Sequence, residues 1–271
     1  MKVTMYQVDA FTNQLFAGNP TAVCVTDGPL SEALMHKLAV ENNLSETAFC
    51  YKEGPYYKIR WFTPKVEVDL CGHATLGTAY ALFNDIEKTA AKIIFKINSG
   101  DTIEVTRDGK YLTLLFPVRE GKPLAYREDI AQALGGKPLA FYEARDILVV
   151  YGSAQEVADL KPAASALNSL GVFGIIATAP GEDVDFVSRY FAPGCGVYED
   201  PATGSSHCTL IPYWAKKLKK TTFVDKQLSK RTGLFHCELQ GNDIYIKGEA
   251  VQLFKTTFHL PLGTEKSGKS A

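Results

Sequence analysis

No two cysteines in this chain of 271 residues are spaced C-x-x-C; the six, Cys24, Cys50, Cys71, Cys195, Cys208 and Cys237, are scattered along it. That argues against a disulfide scaffold and against a zinc ribbon, and most of these thiols are expected to be buried. No apolar run approaches membrane-spanning length, and Met1–Phe11 alternates like a strand and carries Asp9 where a signal peptide would be apolar. Neither charge dominates. Lys plus Arg number 29 against 30 Asp plus Glu, a formal charge of -1, so no field gathers phosphate backbones or anionic lipid. A cytoplasmic protein with neither nucleic acid nor membrane as partner is expected.

Apolar residues make up 46% and charged ones 22%, close to the globular average and enough for a substantial core. The length admits two ordinary domains or one large one. Only residues 263–271 (GTEKSGKSA) read as a disordered tail.

The chain repeats itself. Arg60-Trp61-Phe62-Thr63-Pro64 returns 129 residues later as Arg189-Tyr190-Phe191-Ala192-Pro193, in the same order of Arg, aromatic, Phe, small residue and Pro. Pro64 leads in eight residues to Gly72 and Pro193 in eleven to Gly204. Each Gly then opens a run of small and apolar residues that reads as a helix buried on most of its surface. Downstream of the first helix come strand signals at 92–98, 102–107 and 111–116, with the turn Asp108-Gly109 between the last two. Downstream of the second come 222–228, 234–239 and 243–247, with the turn Gly241-Asn242. The pattern predicts an α+β protein of two pseudo-symmetric halves, each a curved, mainly antiparallel sheet or barrel wrapped around a central helix. The halves are placed at 1–117, which also receives the C-terminal strand, and 127–262, with a linker at 118–126 that holds Pro123 and Gly121. Two further helices, Ser31–Asn43 and Arg127–Leu134, are expected outside the sheets.

Two helix starts rich in small residues offer unpaired N–H groups at the positive ends of two dipoles, and such ends bind carboxylates. Related by an approximate two-fold axis, Gly72-His73 and Gly204-Ser205 would face each other across a cleft and hold an anionic substrate. An isolated Gly at such a place more often only permits close packing, but repetition at matched positions weakens that explanation. The same alignment pairs Cys71 with Thr203. A racemase exchanging protons between two thiols needs Cys at both places, and a threonine hydroxyl is far too weak an acid; Cys71 is read as a packed thiol. Taken alone, His73 could be a satisfied core or capping histidine, Asp200 an Asp-Pro turn and Glu46 a solvated residue ahead of an apolar strand. A metal set could be assembled from Cys71, His73, His207 and Cys208, but the ligand spacing is wrong and no metal is expected.

Four segments carry a resemblance that spans nearly the whole chain: Gln7–Phe11 with Gly18-Asn19-Pro20, Asn43–Phe49 (NLSETAF), Asp69–Thr75 (DLCGHAT) and Glu199–His207 (EDPATGSSH). With them the chain resembles the phenazine-biosynthesis-like (PhzF-like) isomerases, which have the two-half diaminopimelate epimerase-like fold. The resemblance implies an acid/base isomerase or epimerase that needs neither pyridoxal phosphate nor metal, and a possible homodimer. It places the catalytic groups on Glu46, His73, Asp200 and Ser205, and the substrate-binding amides on Gly72, His73, Gly204 and Ser205. The expected activity is a proton shift on a small carboxylate-bearing metabolite with Glu46 as general base and no cofactor. The rival readings are an amino-acid racemase or epimerase of the same fold, and a non-catalytic small-molecule binding protein.

Overall fold

The computed structural model describes residues 1–260; the stretch read as a disordered tail lies outside the described residues. The chain begins β1 (Lys2–Ala10), β2 (Asn19–Thr26), α1 (Glu32–Asn42), β3 (Glu46–Glu53), β4 (Tyr56–Phe62) and β5 (Glu67–Val68). It continues α2 (Gly72–Asp85), β6 (Lys92–Lys96), β7 (Thr102–Asp108) and β8 (Tyr111–Pro117). Then follow β9 (Lys122–Leu124), α3 (Glu128–Leu134), β10 (Ala140–Glu143), β11 (Ile147–Val150), α4 (Ala154–Asp159), α5 (Ala164–Asn168), β12 (Ile175–Pro180), β13 (Phe186–Ala192) and β14 (Val197–Asp200). A 3₁₀ turn over Gly204–Ser206 leads into α6 (His207–Leu218), then β15 (Thr222–Gln227), β16 (Gly233–Gln240), β17 (Asp243–Gly248) and β18 (Ala250–His259).

The pairing repeats strand for strand. In the first half β2 runs parallel to β3, β3 antiparallel to β4, β4 antiparallel to β5 and parallel to β6, and β6, β7 and β8 form an antiparallel meander. In the second half β11, β12, β13, β14, β15, β16 and β17 follow the same scheme in the same order. The halves are also stitched together: β8 pairs with β17, and β18 returns to pair with β1 along its whole length. The segment read as a linker contains β9, which pairs with β10, because Lys122–Leu124 can satisfy its backbone on the sheet edge despite Pro123.

The central helices are buried as their composition demands. Eleven residues of α2, from Gly72 to Phe83, are out of solvent, and no charged side chain interrupts its sequence before Asp85. One core joins the halves, with Trp61, Leu76, Phe95 and Phe116 of the first packed in the same cluster as Leu210, Trp214 and Phe235 of the second. On the far sides of the sheets α3 covers Phe141, Val149 and Phe191, while α1 covers Val3, Phe49 and Phe62. Covered on both faces, β13 is buried at all seven positions. No helix among the described residues is long and apolar enough to cross a membrane.

Helix α6 carries Pro212 in its interior, which frees the carbonyl of Cys208 from its intrahelical partner. Arg119, from the connection between the halves, donates its N–H to that carbonyl at 2.8 Å. The defect in the helix thus anchors the crossover.

Candidate active site

The two helix starts meet backbone to backbone. A β-carbon on Gly72 would lie 3.3 Å from the Gly204 Cα, and one on Gly204 would lie 3.6 Å from the Gly72 Cα. A side chain at Gly72 would press on the opposing backbone, and glycine there keeps the approach open. The N–H groups of Gly72 and His73 belong to the first turn of α2 and have no intrahelical acceptor. On the other side the geometry departs from the expected helix at Gly204. Residues 204–206 form a 3₁₀ turn and α6 begins at His207. Side chains cause this: His207 Nδ1 lies 3.0 Å from the Thr203 carbonyl oxygen and 3.2 Å from that of Gly204, and Ser206 Oγ donates to the Thr203 oxygen at 2.7 Å. The Gly204 and Ser205 amides remain at the N-terminal end of the helical run, beside Gly72.

Around this junction lies a small cavity, about 40 Å³. Glu46, His73, Asp200, Ser205, Gly72 and Gly204 all line it, so every residue singled out in the sequence arrives at one place. Four larger surface grooves, of about 190, 320, 540 and 650 Å³, are lined by no buried carboxylate.

Glu46 stands at the first position of β3, paired in parallel with Thr21 of β2; the Thr21 hydroxyl donates to its carbonyl at 3.0 Å. Its Oε2 lies 3.3 Å from His73 Nε2. Burial pushes the Glu46 carboxyl well above the usual carboxylate range, the nearby Asp200 adds to the rise, and a hydrogen bond with Cys71 opposes it. Burial lowers the His73 imidazole to about 3. Although a charged Glu46–His73 pair would be geometrically possible, withdrawal from water favours the neutral form of each partner.

Asp200, at the end of β14, is raised to about 6 by burial, against hydrogen bonds from Thr203 and Asn19 that favour its carboxylate. Asn19 Nδ2 donates to Asp200 Oδ1 at 2.6 Å and the Thr203 hydroxyl donates to Oδ2. Asn19 belongs to the Gly18-Asn19-Pro20 segment of the opposite half, so the acid of one half is held by the other. Gln227 completes the cradle: its Oε1 accepts from the Thr203 N–H at 2.7 Å and its Nε2 donates to the Asp200 carbonyl.

Cys71 Sγ lies 3.6 Å from His73 Nδ1. Burial pushes the thiol well above its usual range, and Glu46 and Asp200 push it further, against a hydrogen bond from the Ala74 N–H. His207 and Cys208 do not join it. No set of ligand atoms within 4.8 Å of one another combines Cys71 and His73 with them among the described residues; the compact sets are Glu46–Cys71–His73 and, in the second half's core, His207–Asp225–Cys237.

Sequence reasoning missed several neighbours. Arg145, Phe173, Tyr190 and Cys195 line the same cavity, and Tyr190 donates to Asp146 at 2.9 Å. Tyr190 lay within the repeated pentapeptide, which was the available signal; Arg145 follows no pattern along the chain.

The repeat also locates the missing counterparts of the acids. Thr47 faces Phe62 across β3–β4, and Ile175 faces Phe191 across β12–β13. Since Phe62 and Phe191 match in the repeat, the counterpart of Glu46 is Gly174. A β-carbon there would lie 2.3 Å from the Tyr190 hydroxyl and 2.5 Å from Asp146 Oδ1. Likewise Trp61 faces Val68 where Tyr190 faces Asp200, so the counterpart of Asp200 is Val68. Each acid occurs once.

A family model described as "Phenazine biosynthesis-like protein" matches residues 8–256. An uncharacterized isomerase of Pseudomonas aeruginosa is 41% identical, covering 96% of this chain and all of that protein. The crystal structure of a phenazine biosynthesis protein of the PhzF family from Enterococcus faecalis superposes with a TM-score of 0.92 at 44% identity, over 96% of this chain and all of that one. A hydroxyproline epimerase from Agrobacterium vitis shares the fold at 12% identity, with a TM-score of 0.65 over 94% of this chain and 92% of that one. On the extent of the family match and of these likenesses, the chain belongs to the phenazine biosynthesis-like family.

Proposed function

We propose that the protein is a cofactor-independent isomerase that moves a proton on a small carboxylate-bearing metabolite, with Glu46 as its single acid/base. The observation that carries this reading is the asymmetry of an otherwise symmetric cleft. Glu46 has Gly174 as its counterpart, and Cys71 has Thr203. Inversion of a stereocentre by two bases requires a proton carrier on each face of the carbon. Here one face has a carboxyl group and the matching place on the other is filled by the Tyr190–Asp146 pair. A single base instead removes a proton and returns it to a different carbon on the same face.

In this mechanism the substrate carboxylate docks on the amides of Gly72, His73, Gly204 and Ser205, where the ends of both helical runs favour negative charge. Glu46 takes a proton from the carbon that the bound carboxylate and its neighbours acidify. The step uses the Glu46 carboxylate, which burial makes a stronger base, and the acid it becomes is the donor that returns the proton. Neutral His73, Asp200 and the Ser205 hydroxyl hydrogen-bond the hydroxyl, amine or enol oxygen that gains charge on the way. That other relatives are named isomerases, such as one of Halalkalibacterium halodurans at 41% identity, supports the reaction class.

The test is Glu46→Gln. Gln keeps the shape and cannot accept the proton, so turnover of a substrate found by screening metabolites for a changed proton spectrum should drop by about three orders of magnitude with ligand binding nearly intact. An active Glu46→Gln enzyme would transfer the role to His73 or Asp200. A product inverted at one centre, seen by chiral chromatography, would favour an epimerase. Binding without turnover in the wild type would leave a binding protein.

A further inference from the structure

Among the described residues one guanidinium lines the cleft, and it is nearly unbonded. The Arg145 side chain, in the turn between β10 and β11, is 21% exposed, yet of its five N–H donors a single one finds an acceptor among the described residues: Nη2, on Asp69 Oδ1 at 3.2 Å. Arg189 and Arg231 use more of their donors. Arg189 donates to Glu199 and to three carbonyls, and Arg231 to Asp9 and to two carbonyls. A guanidinium withdrawn from water with idle donors costs desolvation that an incoming acceptor would offset.

Arg145 is also held in place. Its guanidinium carbon lies 4.3 Å from the centroid of the Phe173 ring, a cation–π contact that orients its plane. The next residue, Asp146, accepts from the buried Tyr190 hydroxyl, and Ile147 donates its N–H to the Gly174 carbonyl at 3.0 Å. Its present partner is expendable: Asp69 is 80% exposed and belongs to the opposite half, and an ion pair at such a rim is worth little. By the strand register Arg145 matches Pro20 of the first half, so the cation is present on one side of the cleft only.

We propose that Arg145 exchanges Asp69 for a second carboxylate of the substrate and so selects small dicarboxylic acids over monocarboxylic ones. This rests on the reading that the paired glycines hold the first carboxylate. The planar fork of the guanidinium binds a carboxylate edge-on through two parallel hydrogen bonds, in the cavity that Gly72 and Gly204 also line.

The test is calorimetric titration of the full chain at fixed ionic strength with propionate and butyrate against succinate and glutarate. Wild type should bind the dicarboxylates about tenfold more tightly, the gain of one charged, bidentate contact. Arg145→Gln should erase that preference while changing monocarboxylate affinity less than about twofold, and Arg145→Lys should keep part of it. Asp69→Asn, an exposed change that leaves Arg145 intact, should tighten dicarboxylate binding about threefold and carries the test if Arg145→Gln fails to fold. Equal affinities in wild type, a preference that survives Arg145→Gln, or no dicarboxylate binding would overturn the role of Arg145. Gly204→Val, which fills the junction of the helix starts, separates the two readings: monocarboxylate binding that survives it overturns the carboxylate site itself, whatever Arg145 does.

Discussion

At the scale of single residues, burial sets the chemistry of the cleft, and its costs are measurable. Asp200 titrates near its ordinary 3.8 when unfolded and about 6 when folded. The folded protein therefore holds the extra proton between these values, and stability falls as pH rises through that window, by roughly 1–3 kcal/mol. His73, lowered by burial to about 3, contributes the opposite slope, gaining stability as pH rises from that value to its unfolded one. The difference between wild type and Asp200→Asn reports Asp200 together with the rise it adds to Glu46: melting temperatures followed from pH 4 to pH 8 should show the variant gaining on the wild type by several degrees up to about pH 6 and holding the gain above it. A constant difference across the range would refute the buried ionisation. With Thr203 at the matched position, Cys71 has no thiol partner for a two-thiol exchange, so Cys71→Ser should keep most of the turnover. A loss of about a thousandfold in a kinetic assay would mark the thiol as an acid/base. Glu46, His73, Asp200 and Ser205 were all nameable from motifs; their ionisation was not, because it depends on how much water the fold leaves around each.

Elements decide which groups the repeat keeps and which it deletes. The start of β3 and the start of β12 occupy the same place in their halves, yet one ends in Glu46 and the other in Gly174. The space a side chain would need at Gly174 is taken by Tyr190 and Asp146. Gly174→Ala should break the Asp146–Tyr190 hydrogen bond and cost about 1–3 kcal/mol in denaturant midpoint; an unchanged midpoint would show the site more forgiving than the contacts allow. The helix starts were legible as Gly followed by small residues. That the second is a 3₁₀ turn was not, because the His207 ring that reaches the Thr203 and Gly204 carbonyls is held from its other side by Asp225 of β15, 2.9 Å from Nε2.

On the scale of the whole molecule the halves are similar without being independent. β1 has β18 as its partner across nine register pairs from Lys2 to Ala10, β8 has β17, and Phe116 shares a core with Phe235. Arg231, from the second half, holds Asp9 and the carbonyls of Ala17 and Gly18 in the first. Residues 1–117 expressed alone would expose both strand edges and half of the joint core. Such a fragment should show no cooperative thermal transition and poor dispersion of its amide proton resonances. A folded fragment would contradict the shared core as the source of stability.

The four polar groups in the cleft came from the motifs of the family resemblance, while the sequence by itself determined the two-fold pattern and the buried helices, because period, small-residue helix starts and repeated pentapeptides are properties of neighbours along the chain. Distances between the halves are not. That Gly72 touches Gly204, that Asn19 holds Asp200, and that Arg145 closes on Asp69 are contacts between residues 132, 181 and 76 positions apart, and no local pattern encodes them. The tertiary structure also identified the counterpart of Glu46 as Gly174, which only the register of β12 against β13 reveals.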